Sequence, residues 1–564
     1  MKKCNILTLF ASLAFLFSCS QSAEKIYTNG KIITVDSTNT IAEAIAIKEG
    51  KIVAVGTAAE IEKLRGSSTE VIDLKDKTVV PGFIDGHSHF MGLGRSKLVN
   101  LGSPPMGEVR NIPDLVKKLK TFQRENNLAE DEWINGFGYD QDQLEELRHP
   151  TKEDLDTAFP NTPVSITNIN GHMSVSNSYA LKLSGIDENT PNPEGGAIER
   201  KKESNEPTGL LQEKAQGLLK RPKKENPTLE EQLELLKEQQ TYYASHGITT
   251  AQDGHTSFSS LQLLQAAAER GELFIDIEAL PSYHTLEQVL ADPKYKFGTL
   301  TNHLKLAGTK LTADGSPQGK TAFFTKSYVT EVPGCSDELC AGFPNVTQDE
   351  LNEMVNFTFE NNIRPFVHCN GDATIDMYIA AIDHANRSLN TTSTDRRPVT
   401  IHSQFVREDQ LDKYKELGII PAMFTNHAFF WGDVHTRNLG TERASFLSPL
   451  KSAAKKGIVA TNHTDYPVTP ISQLFLLWTS VDRETRSGNT VGPDERLSPI
   501  EGLRAITING AYQYQEENSK GSIEKGKLAD LVILSEDITS IDPQKIRDVE
   551  VLETIKEGRT IFKK

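Results

Sequence analysis

The sequence predicts an α/β fold: a (β/α)8 TIM-like barrel, a β-sandwich formed by the N- and C-terminal segments, and a large insertion near the barrel mouth. Three observations carry this. Apolar strands alternate with helices through most of the 564 residues. Short strands with glycine turns recur at both ends of the chain. Histidines and other polar residues gather at the C-terminal ends of the central strands, where barrels of this kind build active sites.

Residues 1–18 read as a signal peptide, outside the fold. Met1-Lys2-Lys3 is a positive start, and the apolar run from Ile6 to Phe17 is short for a bilayer span. It ends at Leu16-Phe17-Ser18-Cys19, which resembles the lipobox of bacterial lipoproteins. The expectation is an exported protein, anchored to a membrane by lipid on Cys19 and facing the periplasm or the cell surface. No later segment is long and apolar enough to cross a membrane.

Residues 25–80 read as short strands: IYTNGKIITV, AEAIAIKEGKIVAVG and VIDLKDKTVV, with turns at Asn29-Gly30 and Glu49-Gly50. Residues 516–564 answer them with GSIEKGKLADLVILSED and VLETIKEGRTIFKK. The two pieces are expected to pair as one sandwich. Between them, residues 81–515 form the barrel, with a partly helical insertion over about 95–240. Thr228 and Glu231 have capping-box spacing, Leu229, Leu233 and Leu236 recur at helical intervals, and the helix is expected to stop near Gly247. The following ITTAQDG and the later HLKLAGTKLTADG, IRPFVHCNG, RPVTIHSQF, GIIPAMFTN and GIVATNHTD read as strands, separated by helices such as LNEMVNFTFENN and REDQLDKYKEL.

A composition of 37% hydrophobic and 24% charged residues supports a packed core. The net charge of -16 repels phosphate backbones, so no nucleic-acid partner is expected. Of five cysteines, Cys4 leaves with the leader and Cys19 carries lipid. Cys335 and Cys340 either close a small disulfide loop or stay free, and Cys369 stands alone.

The chemistry starts at PGFIDGHSHF. His87 and His89 are two apart at a strand end, so both imidazoles point the same way and can converge on one cation. The plainer alternative is two polar residues in a surface turn. His368 closes IRPFVHCNG, His402 closes RPVTIHSQF and Asp465 closes GIVATNHTD. Each alone would more often be structural; all at strand ends of one barrel, they form a set. Lys310 lies on the apolar strand of GTKLTADG, where an unpaired ammonium is costly. It either snorkels, pairs with Asp314, or is carbamylated into an anionic metal ligand. GSPQGKT resembles a phosphate loop, but Gly315 falls one residue late for that motif.

The order His-x-His, Lys, His, His, Asp resembles the amidohydrolase superfamily. GHMSVSNSYAL, ADGSPQGKTAFF, HCNGDATID, NHTDYPVTP and the tail GSIEKGKLADLVIL narrow the resemblance to the YtcJ-like metal-dependent amidohydrolases (amidohydrolase family 3), which include N-substituted formamide deformylases. The likeness spans roughly residues 25–560. It implies two divalent metal ions, with zinc favoured by histidine ligation and manganese, iron or nickel also fitting. By the same match His87 and His89 hold one ion, His368 and His402 the other, carbamylated Lys310 bridges them, and Asp465 binds the first. It implies hydrolysis of a non-peptide C–N bond in an amide, formamide or N-acyl compound by a metal-bridging hydroxide, with Asp465 shuttling the proton. His172 and Tyr139 match family segments and are expected to contact a small-molecule substrate, with Asp140 beside Tyr139. His255, His427, His463 and Trp431 lie near predicted strand ends, where pocket-wall or ligand-supporting roles stand equally beside direct contact. The alternatives are a mononuclear deaminase of the same superfamily, which has no bridging lysine, and a non-catalytic, lipid-anchored binding protein.

Overall fold

A computed structural model of the chain describes residues 22–93, 98–169, 171, 173–193, 196–221, 227–332, 340–393 and 395–564. The leader, Cys19, His172 and Cys335 therefore lie outside the described residues.

The central body is an eight-stranded parallel barrel with helices around it. Its strands are β1 (Phe83–Ile84), β2 (Ile248–Thr256), β3 (Asp276–Pro281), β4 (Leu304–Leu306 continued by Thr309–Thr312), β5 (Pro365–Cys369), β6 (Val399–His402), β7 (Ile420–Met423) and β8 (Thr461–Asn462). Each runs parallel to its neighbour in this order, with a Ser282–Lys310 bridge carrying β3 onto the second half of β4. The strands are buried on both faces, as parallel strands under helices must be. Ile84, Leu280, Phe366, Ile401, Ala422 and Tyr514 pack together in the barrel interior. Leu311, Val367 and Cys369 point outward onto helix residues such as Val355 and Ile375.

The ring closes between β8 and β1 through side chains. Thr464 donates from its backbone N (3.1 Å) and its hydroxyl (2.6 Å) to the Asp85 carboxylate. Beyond that tie, Asp465 N donates to His87 O at 3.0 Å and His89 N to Tyr466 O at 2.8 Å.

The two chain ends meet as expected. Leu531–Leu534 pairs antiparallel with Thr78–Pro81 inside a six-stranded sheet. That sheet shares a core with the four-stranded N-terminal sheet through Tyr27, Ile45, Val79, Leu531 and Ile555. Buried charges fasten the sandwich to the bottom of the barrel: Lys556 Nζ lies 2.6 Å from Asp276 and 2.8 Å from Asp530, and Lys520 also reaches Asp276.

Residues 99–213 carry a feature that the sequence reading did not resolve. They build a six-stranded sheet with its own core of Leu115, Leu119, Ile134, Phe159 and Ile166. Its strands, such as INGFGY and VSITN, are rich in Gly, Asn and Ser, which strands disfavour or tolerate poorly, so they give no clear strand pattern. The helix Leu229–Ser245 has the predicted capping box from Thr228 and Glu231 and ends before Gly247, whose φ is +81°. It buries Leu233 and Leu236 but leaves Leu229 exposed, and it packs on β2 and the C-terminal sandwich strands. Among the described residues no helix is long and apolar enough to cross a membrane.

Thr464→Val should lower stability by about 1–3 kcal/mol, because it leaves a buried Asp85 oxygen without its hydroxyl donor. Denaturant midpoints check this, and an unchanged midpoint would show that the seam does not depend on the hydroxyl.

Candidate metal centre

The candidate ligands reach the barrel mouth by two local devices. Lys310 and His368 point inward by ordinary strand alternation, because their neighbours Leu311, Val367 and Cys369 face outward. His402 follows the inward-facing Ile401, so alternation alone would turn it away from the site. A left-handed φ of +75° at His402 re-aims it, and Asp465 has a φ of +50°. Such backbone at non-glycine residues costs on the order of 1–3 kcal/mol each and recurs at functional sites.

These devices gather one cluster. Asp465 Oδ1 lies 3.2 Å from His89 Nε2 and 3.5 Å from His87 Nε2. That oxygen is buried and accepts no hydrogen bond of good geometry. Lys310 Nζ approaches His87 Nε2 at 3.1 Å. On the other side His402 Nε2 lies 3.1 Å from His368 Nδ1, and the His87 and His402 rings are 5.6 Å apart. His87, His89 and Asp465 can direct their ligand atoms to a single ion.

The electrostatics favour the ligand forms. Burial drives the His87 and His402 imidazoles well below their ordinary range, and the neighbouring Lys310 and histidine charges push the same way. Both are therefore neutral with a lone pair to offer. Burial brings Lys310 down to about 8, against the pull of Asp465. Burial pushes Asp465 up, but His89, His463 and Lys310 outweigh it and hold the carboxyl below the usual range.

Two carboxylates that the sequence reading gave no site role organise this cluster. Asp85 ties β1 to β8. Asp314 accepts from Asn370 N (3.0 Å), Gly371 N (2.9 Å) and Thr374 Oγ1 (2.9 Å), which fixes the loop that follows His368. Burial pushes both acids up to about 7. Their signal was their place in the motifs, IDGH and ADG, and no local pattern revealed their partners.

The softer expectations fall unevenly. Tyr139 is buried in the core of the insertion, with its hydroxyl 3.0 Å from His149 Nδ1. Its neighbour Asp140 is the residue that reaches the barrel, accepting from Trp431 Nε1 at 3.2 Å. Trp431 packs on His427, His427 on Phe424, and Phe424 on His463, so rings run from the insertion to the cluster. His463 Nε2 lies 3.2 Å from His402 Nδ1. His255 is exposed at the end of β2. Cys340 is disulfide-bonded. A cavity of about 650 Å³ runs along the seam between the insertion (Phe137, Ile169), the helix Leu229–Ser245 (Leu235, Tyr242) and the loop after Asp465 (Tyr466, Pro467). None of the six candidate ligands lines it.

Comparison with known proteins gives a consistent set of relatives. The profile of the amidohydrolase family matches residues 70–562. The N-substituted formamide deformylase of Arthrobacter pascens is 27% identical over 96% of this chain and 98% of its own length. YtcJ of Bacillus subtilis (strain 168) is 28% identical over 96% of this chain and 99% of its own. The crystal structure of an uncharacterised metal-dependent hydrolase from Pyrococcus furiosus superposes with a TM-score of 0.69 at 25% identity, covering 92% of this chain and 100% of that one.

One buried histidine outside the ligand set gives a pH test. His435 Nε2 lies 3.0 Å from His427 Nδ1, and burial brings its imidazole down to about 3. In the unfolded chain it takes a proton below about pH 6.5. The unfolded state then binds more protons, so this residue's contribution to stability is lost as pH falls from about 6.5 toward 3. Relative to wild type, His435→Gln should lose about 2 kcal/mol less between pH 7 and pH 5. Parallel stability curves for the two proteins would contradict this.

Proposed function

The chain belongs to the amidohydrolase family, and from that premise we propose that it is a metal-dependent hydrolase that cleaves a non-peptide C–N bond in a small amide, formamide or N-acyl compound. One observation carries the reading: the buried Oδ1 of Asp465, which accepts no hydrogen bond of good geometry, faces the Nε2 atoms of His87 and His89. A buried carboxylate oxygen without a donor is costly. A cation shared with the Nε2 atoms of His87 and His89 removes that cost, so the residues present fit a divalent metal ion.

In this reading His87, His89 and Asp465 hold one ion, and His368 and His402 hold a second. Zinc is proposed because four of these five side chains are imidazoles. Lys310 is proposed as the bridge. With its amine brought down to about 8, a neutral fraction exists near neutral pH. That amine nitrogen can add to CO2, giving a carbamate and releasing one proton. The bound ions supply an acidified water and polarisation of the scissile carbonyl. Asp465 takes the proton from the attacking water and delivers it to the leaving nitrogen. The position of Lys310 against His87 favours two ions over the single-ion deaminase alternative. The Arthrobacter relative acts on N-substituted formamides by its name, and this supports formamides as the first compounds to try. The N-terminal leader supports a further part of the proposal: export, with lipid anchorage through Cys19.

Metal analysis should find close to two divalent ions per chain, and the loaded protein should hydrolyse at least one N-formyl, N-acetyl or N-acyl compound in a screen. Chelation should abolish that turnover. Metal-free protein that is fully active would refute the reading. Asp465→Asn should lower kcat by roughly 10²–10⁴. Lys310→Ala should lose metal and activity, with partial rescue by a short carboxylic acid; unchanged metal content would remove Lys310 from the site.

Cys19→Ala should release the protein from the membrane fraction, and continued anchoring would refute lipidation there.

A further inference from the structure

The strand β2, with the sequence ITTAQDGHT, lies beside β1 and contributes no candidate ligand. Its Gln252 and Gly254 nevertheless both touch His87. Gln252 Oε1 is hydrogen-bonded to His87 Nδ1. The other end of the amide is pinned: Gln252 Nε2 donates to Gly86 O at 3.2 Å and to Tyr514 Oη at 2.8 Å. A backbone carbonyl can only accept, so the nitrogen of the amide must face Gly86 and the oxygen must face the ring. An amide oxygen also only accepts, which places the proton of the neutral imidazole on Nδ1. Nε2, the atom 3.5 Å from Asp465 Oδ1, is left with its lone pair. Gly254 makes room for the ring in this position. A Cβ built there would lie 2.1 Å from His87 Cε1 and 2.5 Å from Nδ1.

We infer that Gln252 is a positioning residue for the metal centre: held by Gly86 and Tyr514, it fixes the tautomer and orientation of His87 so that Nε2 faces the ion. Tyr514 completes the hold, because its hydroxyl donates toward Asp85 O or Gly86 O, both at 3.0 Å, while accepting from Gln252. Hydrogen-bond partners of this kind behind a ligand typically change metal affinity by about 10–100-fold when removed. The inference rests on the metal-hydrolase reading for its consequence and on the amide geometry for its mechanism.

The test uses the full chain with zinc as the probe. Zinc retention is measured by chelator competition for wild type, Gln252→Leu and Gln252→Glu, with thermal melts to confirm folding. The nitrogen spectrum of metal-free protein labelled with ¹⁵N-histidine reads the His87 tautomer, assigned by difference from His87→Asn. Wild type should carry the His87 proton on Nδ1. Gln252→Leu should retain zinc about 10–100-fold more weakly. Gln252→Glu should recover part of the loss, because one carboxylate oxygen still accepts from Nδ1 and the Tyr514 hydroxyl can turn to donate to the other, although the donation to Gly86 O is gone. A residue that serves only packing would not be rescued in this way. An Nε2–H tautomer in metal-free wild type, zinc retention in Gln252→Leu equal to wild type, or a Gln252→Glu no better than Leu would each overturn the inference. If Gln252→Leu fails to fold, the glutamate variant and the tautomer still decide. Wild type that binds neither zinc nor manganese, iron or nickel would refute the metal-hydrolase reading instead, and the tautomer of the metal-free protein would still test Gln252.

Discussion

The Asp85 carboxylate ties the first strand of the barrel to the last. Asp85 and Thr464 are 379 residues apart in sequence, yet the Asp85 carboxylate accepts from both the backbone and the hydroxyl of Thr464. His87 and His89 follow Asp85 on one side of the seam, and Asp465 follows Thr464 on the other. Their convergence is therefore a property of the closed barrel and of neither strand alone. The helix Ile508–Gln513 braces the same seam: Gln513 Nε2 donates to Gly86 O at 2.7 Å, and its Oε1 accepts from Thr461 Oγ1 at 2.6 Å. Burying an acid without a countercharge is costly, and burial pushes Asp85 up to about 7. The arrangement survives because strong donors face the carboxylate.

The left-handed residues fit this view. His402 and Asp465 occupy backbone that non-glycine residues avoid, and each is held by its surroundings. Asp465 N is tied to His87 O across the seam. The His402 ring sits between His368, His463 and Phe424. At His402 the left-handed backbone lets a strand of ordinary alternation deliver a side chain that alternation would have sent elsewhere.

What could be read from the sequence divides along the same line. Local devices were legible: the i, i+2 histidines, the capping box at Thr228 and Glu231, the apolar strands ending in His368 and His402, and the glycine turns that mark the two halves of the sandwich. Devices that join distant residues were not. The partners of Asp85, Gln252 and Asp314 lie on other strands or the loops after them, and no local pattern in the sequence pairs residues so far apart. The sheet of the insertion was hidden for another reason, since strands such as INGFGY gain their stability from packing and little from intrinsic propensity. Tyr139 shows how adjacent residues divide: it fills the core of the insertion, while Asp140 reaches out to Trp431.

Burial is the common cause behind the chemistry of the cluster. It keeps the imidazoles of His87 and His402 neutral, lowers Lys310 toward reactivity, and deprives Asp465 Oδ1 of water. Each effect is unfavourable for the protein alone. His87 Nε2 lies 3.1 Å from the Lys310 amine and 3.5 Å from the Asp465 carboxylate, and His402 and His368 face each other across 3.1 Å, so several lone pairs converge on one small space. Such a cluster is most stable with positive charge supplied from outside, and protons are poor suppliers where desolvation opposes protonation. A divalent cation brings that charge in one compact centre and satisfies several lone pairs at once. The features that make the mouth of this barrel costly to fold are thus the ones that select a metal ion to occupy it.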